Sequence, residues 1–111
     1  MGGAAGFELD SFDPAQGSPP ETAVLASASR GFSDSYQGVV ENVLMEASQS
    51  GASVNPAVRA DMAYLEYPNG GAVFATGSIC WSSALTHAGG DNNVARVTSN
   101  VLARFAQPPT D

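Results

Sequence analysis

The sequence has few charged residues and very few basic ones. Charged residues make up 14% of the chain, where about a quarter is usual for a globular protein. The net charge is −7, and lysine is missing altogether. The basic residues are Arg30, Arg59, Arg96 and Arg104. Because these arginines form no cluster, the sequence has no electrostatic signal for binding nucleic acid or an anionic membrane.

Cysteine and long apolar runs are also scarce. Cys80 is the single cysteine, so the chain cannot form an internal disulfide, which favours a reducing, cytoplasmic compartment. No apolar run approaches the roughly 18 residues of a membrane-spanning helix. The N-terminus has neither the basic nor the apolar region of a signal peptide. A length of 111 residues is enough for one small domain with a single core.

Glycine and proline are plentiful, with 12 and 7 residues, which favours tight turns over long helices. Residues 1–21 form a Gly/Pro-rich opening segment that begins as if in the middle of a larger domain. Residues 22–111 are expected to hold the core. At its start, residues 22–27 are apolar and bounded by turn signals, which predicts a buried strand.

The pattern of residues 36–48 is ambiguous. Val39, Val40, Val43 and Leu44 fall on one helical stripe, but the same stretch is rich in β-forming residues and contains Gly38. Periodicity favours a helix, and a strand stays open as the alternative. Residues 49–56 are expected to form a loop.

A β-hairpin is predicted over residues 62–76. Two apolar runs, 62–67 and 72–76, flank Asn69-Gly70, and Asn-Gly favours a type I′ turn with φ > 0 at both positions. That turn would place Leu65 opposite Phe74, Glu66 opposite Val73 and Tyr67 opposite Ala72. Both faces would then be apolar and covered, with the exception of Glu66.

An amphipathic helix is predicted over residues 93–106. Its apolar positions follow a 3.6-residue period; they are Val94, Val97, Val101, Leu102 and Phe105. An acceptor within residues 91–93 would cap its first free N–H groups. Strands, a loop and a packing helix together indicate the end of a layered α/β or α+β domain.

Three stretches also resemble a known family. They are GAAGFELD at residues 3–10, RADMAYLEYPNGGAVFATGSICW at residues 59–81 and SALTHAGGDNNVARVTSNVLARF at residues 83–105. All three resemble the C-terminal region of the large (beta) subunit of the N,N-dimethylformamidase family. The GGAVF and GSI-x-W motifs also occur in glutamine-amidotransferase-like domains. The resemblance therefore implies a partial α/β domain of that type, ending in a β-hairpin and a C-terminal packing helix.

The resemblance implies an amide hydrolase that cleaves the C–N bond of small N-alkylated linear amides to an acid and an amine. Such an enzyme has a mononuclear iron held by two Tyr and one Glu, and its large subunit pairs with a small subunit. Tyr36, Tyr64 and Tyr67 do not match the iron ligands, since Tyr64 and Tyr67 lie on opposite faces of one strand. The ligands are therefore expected upstream, with no iron bound and no activity in this segment alone. A non-catalytic segment that completes a core or a subunit interface is the alternative function.

Glu8 is the strongest candidate for a catalytic residue. It follows Gly6 and Phe7 where the backbone can approach a ligand closely, and no Arg or Lys lies near it in sequence. A carboxylate in an apolar setting holds a proton more readily than in water, which suits a general base that activates water. The resemblance places an active-site Glu in this stretch and an iron that polarises the amide carbonyl. The alternative is a solvated loop carboxylate, and Asp10 is a weaker candidate of the same kind.

The remaining candidates have simpler interpretations. His87, the only imidazole, could bind substrate, although a lone His in a Gly-rich turn more often holds its loop. Cys80 lacks an adjacent base and a nucleophile-elbow pattern, so we interpret it as a buried core thiol. Trp81 is interpreted as core or interface packing. A Cys/His zinc site within the chain is excluded by composition.

Overall fold

The computed structural model describes residues 3–40, 43–44 and 51–108. The strands are β1 (Ala23–Ala28), β2 (Val39–Val40), β3 (Val43–Leu44), β4 (Ala60–Glu66) and β5 (Ala72–Ala75). The α-helices are α1 (Trp81–Ala84) and α2 (Asn93–Phe105), and short 3₁₀ turns lie at Pro14–Gln16 and His87–Gly90. The hairpin and the closing helix predicted from the sequence are therefore present, in a small mixed α/β unit.

Strand β4 is the centre of a three-stranded antiparallel sheet with the order β1-β4-β5. Its pairing with β1 shifts between Val24 and Ala26, so that Leu25 forms a bulge. The strand predicted over residues 22–27 is present, but the expectation that it is buried was wrong. Val24 is 42% and Leu25 52% exposed, because β1 lies at an edge of the sheet and no described element packs over it.

The register of the hairpin differs from the predicted one by one position. Tyr64 pairs with Phe74, Leu65 with Val73 and Glu66 with Ala72. The cause is the turn. Gly70 N–H donates to the Tyr67 carbonyl at 2.9 Å, which places Pro68 and Asn69 in the middle of the turn.

The prediction of positive φ at both Asn69 and Gly70 was accordingly wrong. Gly70 has φ +88°, whereas Phe7 and Ala88 are the only non-glycine residues with positive φ in the described ranges. Proline fixes φ near −65° and favours the first central position of a type I turn, with a left-handed glycine after it. Pro68 therefore moves the turn one residue towards the N-terminus.

The helix favoured for residues 36–48 was also wrong where the structure describes this stretch. Strands β2 and β3 pair in antiparallel fashion, with Val39 opposite Leu44 and Val40 opposite Val43. Three of the four residues in these strands, Val39, Val40 and Val43, are β-branched, and such residues favour strand pairing over a helical turn. Residues 41–42 and 45–48 of the prediction, and the first two residues of the loop predicted over 49–56, lie outside the described residues.

One face of the hairpin packs against α2. The Trp81 ring meets Phe74 edge-on at a centroid distance of 5.9 Å, and its Nε1–H donates to Thr98 Oγ1 at 3.0 Å. At the other end of α2, Phe105 stacks on Tyr64 at 6.3 Å. Trp81 is therefore a packing residue, as predicted, and it joins the helix to the sheet.

The other face is crossed by the N-terminal segment, which is tied to Asp61. The Asp61 carboxylate is 2% exposed and accepts from Arg59 Nε at 2.8 Å, from Phe12 N–H at 2.8 Å and from Ser27 Oγ at 2.5 Å. Arg59 Nη2 also donates to the Phe12 carbonyl at 2.8 Å. This cover is incomplete, because Val73 on the same face is 50% exposed.

The buried core is small. Val58, Ala60 and Leu65 are the buried apolar residues in the described part of the chain. The accessible surface is 7652 Å², where a monomer of 11.3 kDa has roughly 5,700 Å². The radius of gyration is 15.6 Å against about 13 Å for a compact domain of this length. No helix in the described ranges is long and apolar enough to cross a membrane.

Candidate functional site

Glu8 stands at the end of a very tight turn. Its N–H donates to the Gly6 carbonyl at 2.8 Å, so the chain reverses within three residues. Phe7 between them has φ +61°, in the left-handed region that costs a non-glycine residue about 1–2 kcal/mol. Strain of this kind persists only where surrounding contacts enforce it, and such residues cluster at functional sites.

Two distant side chains hold the turn in place. Ser78 Oγ donates to the Gly6 carbonyl at 2.6 Å and accepts from Gly6 N–H at 3.0 Å. The Tyr36 hydroxyl accepts from Phe7 N–H at 2.9 Å. Ser78 is 4% exposed and also accepts from Cys80 N–H at 3.3 Å. We call Gly6, Phe7, Glu8, Tyr36 and Ser78 the Glu8 turn cluster.

The Glu8 carboxylate itself is exposed. The described residues offer it no hydrogen bond or ion pair, so both oxygens are available to a ligand or to water. The Phe7 ring is 82% exposed, so within this chain it does not create the apolar setting expected for Glu8. Whether Glu8 acts as a base stays a prediction, and its setting depends on what covers the turn.

The backbone of Asp10 is hydrogen-bonded on both sides to residues that lie far from it in sequence. Its N–H donates to the Gly77 carbonyl at 2.9 Å and its carbonyl accepts from Asp61 N–H at 2.9 Å. Gly77 is required at this junction, because a Cβ there would lie 2.6 Å from the Asp61 carbonyl oxygen. Asp10 therefore links the opening segment to the sheet through its backbone, while its side chain is exposed.

His87 lies in an exposed loop that precedes α2. Ala88 (φ 52°) and Gly89 (φ 66°) follow it in left-handed conformations. Asn92 Nδ2 donates to the carbonyls of His87 at 2.8 Å and of Leu85 at 3.1 Å. In the described part of the chain the imidazole ring has no hydrogen bond, and no hydrogen bond or ion pair joins His87 to Glu8.

Asn92 is the N-cap of α2. Its Oδ1 accepts from Ala95 N–H at 2.9 Å, which confirms that residues 91–93 cap the helix. Cys80 is a free thiol that is half-buried, so the prediction of a buried core thiol was wrong as to its burial. It lies beside the Glu8 turn, since a Cβ at Gly6 would be 3.5 Å from Cys80 Sγ and 3.7 Å from the Tyr36 hydroxyl.

Glu66, the exception on the hairpin face, is paired. It accepts from the Tyr64 hydroxyl at 2.6 Å and from Arg104 Nη2 at 2.9 Å. The Tyr64 hydrogen bond and then the Arg104 guanidinium hold the pKa of Glu66 below its ordinary value. Donation to Glu66 raises the pKa of Tyr64. Together these residues fix the C-terminal end of α2 against β4.

The described residues do not offer an iron site. No three His, Cys, Asp or Glu side chains converge within residues 3–40, 43–44 and 51–108. Tyr64 and Glu66 are in contact, but the Arg104 guanidinium occupies the same carboxylate oxygen, and its positive charge disfavours a cation there. That the iron ligands lie upstream of this segment stays a prediction.

Known proteins match this chain over almost all of its length. A family model described as "N,N-dimethylformamidase beta subunit-like, C-terminal" matches residues 1–95. The chain belongs to this family. The N,N-dimethylformamidase beta subunit of an Alcaligenes species is 41% identical over 104 residues, and that of Paracoccus aminophilus is 40% identical over 104 residues. Each match covers 94% of this chain and 14% of the relative.

Family membership bears on the resemblance that the sequence motifs indicate. The resemblance of the motifs in residues 3–10 and 59–105 to the dimethylformamidase family is confirmed. Sequence reasoning singled out Glu8, whose catalytic role stays a prediction, and it missed the contacts of Ser78 and Tyr36 that hold the turn. A Gly77-Ser78 pair directly after a strand was the available signal for Ser78. Tyr36 is distant in sequence and carried no signal of its own.

Proposed function

We propose that this chain is the C-terminal part of the large subunit of an amide hydrolase. The enzyme cleaves the C–N bond of small N-alkylated linear amides resembling N,N-dimethylformamide, to give an acid and an amine. The single observation that carries this proposal is identity of about 40% over 94% of the chain to two dimethylformamidase beta subunits. Because the chain spans 14% of those relatives, the pocket is proposed to include residues from the remainder of the large subunit.

The exposed apolar surface of the chain supports the proposal that the chain is part of a larger subunit. Large apolar side chains are exposed on several sides, including Leu25, Val54, Ile79 and Leu102 at between 52% and 62%. Isolated apolar residues are normal on a surface, but an excess of this size beside so small a core indicates surface that another body covers. We propose that the remainder of the large subunit covers it and completes a glutamine-amidotransferase-like α/β domain, next to a small subunit. The single free thiol, Cys80, favours a cytoplasmic location.

In the proposed reaction Glu8 is the general base. Its carboxylate takes a proton from a water molecule, whose oxygen attacks the amide carbonyl carbon. The C–N bond then breaks, and the proton passes from Glu8 to the departing amine nitrogen. Two observations support this role: the carboxylate has no described partner that would occupy its oxygens, and a strained, anchored turn presents it. His87 is a second, weaker candidate for contact with the substrate.

The family's iron is proposed to be held by ligands elsewhere in the large subunit. It would supply a Lewis acid for the amide carbonyl. In support of this proposal, the Arg104 guanidinium binds the Glu66 oxygen that accepts from Tyr64, and its positive charge disfavours a cation there.

A non-catalytic assembly segment is the second candidate, favoured by the extent of exposed apolar surface. The first test is the reading frame around the coding sequence: continuation upstream into the rest of a large subunit supports the enzyme. The second test is turnover. The assembled enzyme should release dimethylamine and formate from N,N-dimethylformamide, while the 111-residue chain alone should release neither. Failure of the assembled enzyme on several N-alkylated amides would refute the proposed activity.

A further inference from the structure

The Glu8 turn cluster is held by side chains that lie far from it in sequence. Ser78 is 72 residues and Tyr36 is 29 residues away from its partner in the turn. A turn that is stabilised locally is held by hydrogen bonds from residues adjacent to it in sequence. Here two separate segments of the chain reach the backbone of Gly6 and Phe7.

We propose that Tyr36 and Ser78 are positioning residues that hold Glu8 in its reactive place. This inference rests on the proposed role of Glu8 as the general base. Neither residue needs to touch the substrate; each acts through the backbone of the turn. This role can be tested with double variants. A residue that only positions Glu8 should affect turnover in an enzyme that has Glu8 and should have no effect in one that lacks it.

Tyr36 binds the amide of the strained residue itself. Phe7 at φ +61° would relax towards negative φ in the absence of a restraint, since L-residues disfavour the left-handed region. The hydrogen bond from Phe7 N–H to the Tyr36 hydroxyl at 2.9 Å is such a restraint. A change in φ at Phe7 swings the following residue, so Glu8 would move away from the water that it activates.

Ser78 fixes the turn relative to the sheet. A serine hydroxyl has one donor and two acceptor sites, and all three are used: it donates to the Gly6 carbonyl and accepts from Gly6 N–H and Cys80 N–H. Ser78 is 4% exposed, so water does not compete for these bonds. Ser78 lies in the short segment between β5 and α1, so the proposed base is tied to the junction of these two elements, and a catalytic group needs such support to keep its geometry.

The first test is Tyr36→Phe in the assembled enzyme, which removes one hydroxyl and keeps the ring. We expect kcat to fall about 10- to 100-fold, as small displacements of a catalytic group do, with KM within about twofold and iron content unchanged. Tyr67→Phe is the matched control, because the Tyr67 hydroxyl has no hydrogen bond to a described residue, and it should keep wild-type kcat. Wild-type kcat in Tyr36→Phe overturns the inference.

The second test repeats Tyr36→Phe in a Glu8→Gln background. If Tyr36 acts through Glu8, removing its hydroxyl should cause no further loss, because effects of residues that act as a unit are non-additive. Equal loss in both backgrounds means that Tyr36 has a general structural role, and the inference is wrong while the proposed base survives. Wild-type turnover in Glu8→Gln alone instead refutes the proposed base.

The third test addresses the strain directly. Glycine adopts positive φ without penalty, so Phe7→Gly should restore part of the kcat lost in Tyr36→Phe. No recovery contradicts the account of how Tyr36 acts. Ser78→Ala should lower kcat in the same way as Tyr36→Phe; if that buried substitution yields no assembled enzyme, the Tyr36 and Phe7 variants decide.

Discussion

Asp61 connects three segments that are distant in sequence: the opening segment, β1 and β4. It is a buried carboxylate with three donors, and Arg59 neutralises it from two residues away. Burial of a charge is tolerated only where it is paired and hydrogen-bonded in this way. The network therefore determines where residues 10–12 run, and with them the approach to Glu8.

Replacement of Asp61 by Asn should destabilise the chain strongly. It removes the ion pair with Arg59 and weakens the bonds from Phe12 and Ser27, so we expect a loss of about 2–4 kcal/mol in the free energy of unfolding. Urea unfolding followed by Trp81 fluorescence measures it. Asp91→Asn is the control, because that side chain is exposed and has no described partner. Equal midpoints for the two variants would contradict the role of Asp61.

The Tyr64–Glu66–Arg104 group should respond to pH. The pKa of Glu66 is depressed in the folded chain, so its contribution to stability is present above the pKa of the unfolded chain and is lost as pH falls through the folded pKa. Tyr64→Phe removes the largest cause of the depression. A ¹³C NMR titration of Glu66 should then show its pKa moving up towards the ordinary value, whereas Tyr67→Phe should leave it in place. An unchanged pKa in Tyr64→Phe would show that the hydrogen bond does not form.

Among the elements, local sequence predicted α2 and the hairpin well and the turn poorly. The stripe and the cap of α2 are local signals that no tertiary contact opposes. The hairpin was also predicted from local sequence. Its register was not, because two adjacent turn signals, Pro68 and Asn69-Gly70, favour different turns, and the turn that forms sets the register. The helix prediction for residues 36–48 failed for another reason. A short run of β-branched residues fits a helical stripe and a strand equally well, and only the partner strand decides between them.

The geometry of the hairpin turn predicts different losses of stability for substitutions at Asn69 and at Gly70. Gly70→Ala should cost about 1–2 kcal/mol, since Gly70 has φ +88° and alanine disfavours this region. Asn69→Ala should cost only a few tenths of that, because Asn69 lacks positive φ and its contact with Gly71 N–H is long, at 3.3 Å. Urea unfolding of both variants measures the difference. Equal losses of stability would contradict this turn and support the type I′ turn that the Asn-Gly pair alone predicts.

At the scale of the whole molecule, the chain spans 14% of the relatives that it matches, and we propose that it is one part of a larger subunit. Its accessible surface and its radius of gyration both exceed those of a compact domain of this mass. The low fraction of charged residues, 14%, agrees with this proposal, since a chain that covers its own core needs a polar exterior. The closing helix and the presence of the hairpin could be predicted from local sequence, whereas the short β2–β3 pair and the exposure of β1 could not. The setting of Glu8 could not be predicted either, because the residues around it come from distant segments such as Tyr36 and from the proposed remainder of the subunit.

Glu8 is proposed as the general base of an amide hydrolase that this segment helps to build. Turnover of N,N-dimethylformamide by the assembled Glu8→Gln enzyme tests this proposal most directly, with iron content and subunit assembly measured on the same sample. Glutamine keeps the shape of Glu8 and removes its basicity, so kcat should fall about 10²- to 10⁴-fold while iron and assembly stay at wild-type values. Wild-type turnover, or loss of iron and assembly together with activity, would contradict the claim and leave Glu8 as a structural residue of its turn.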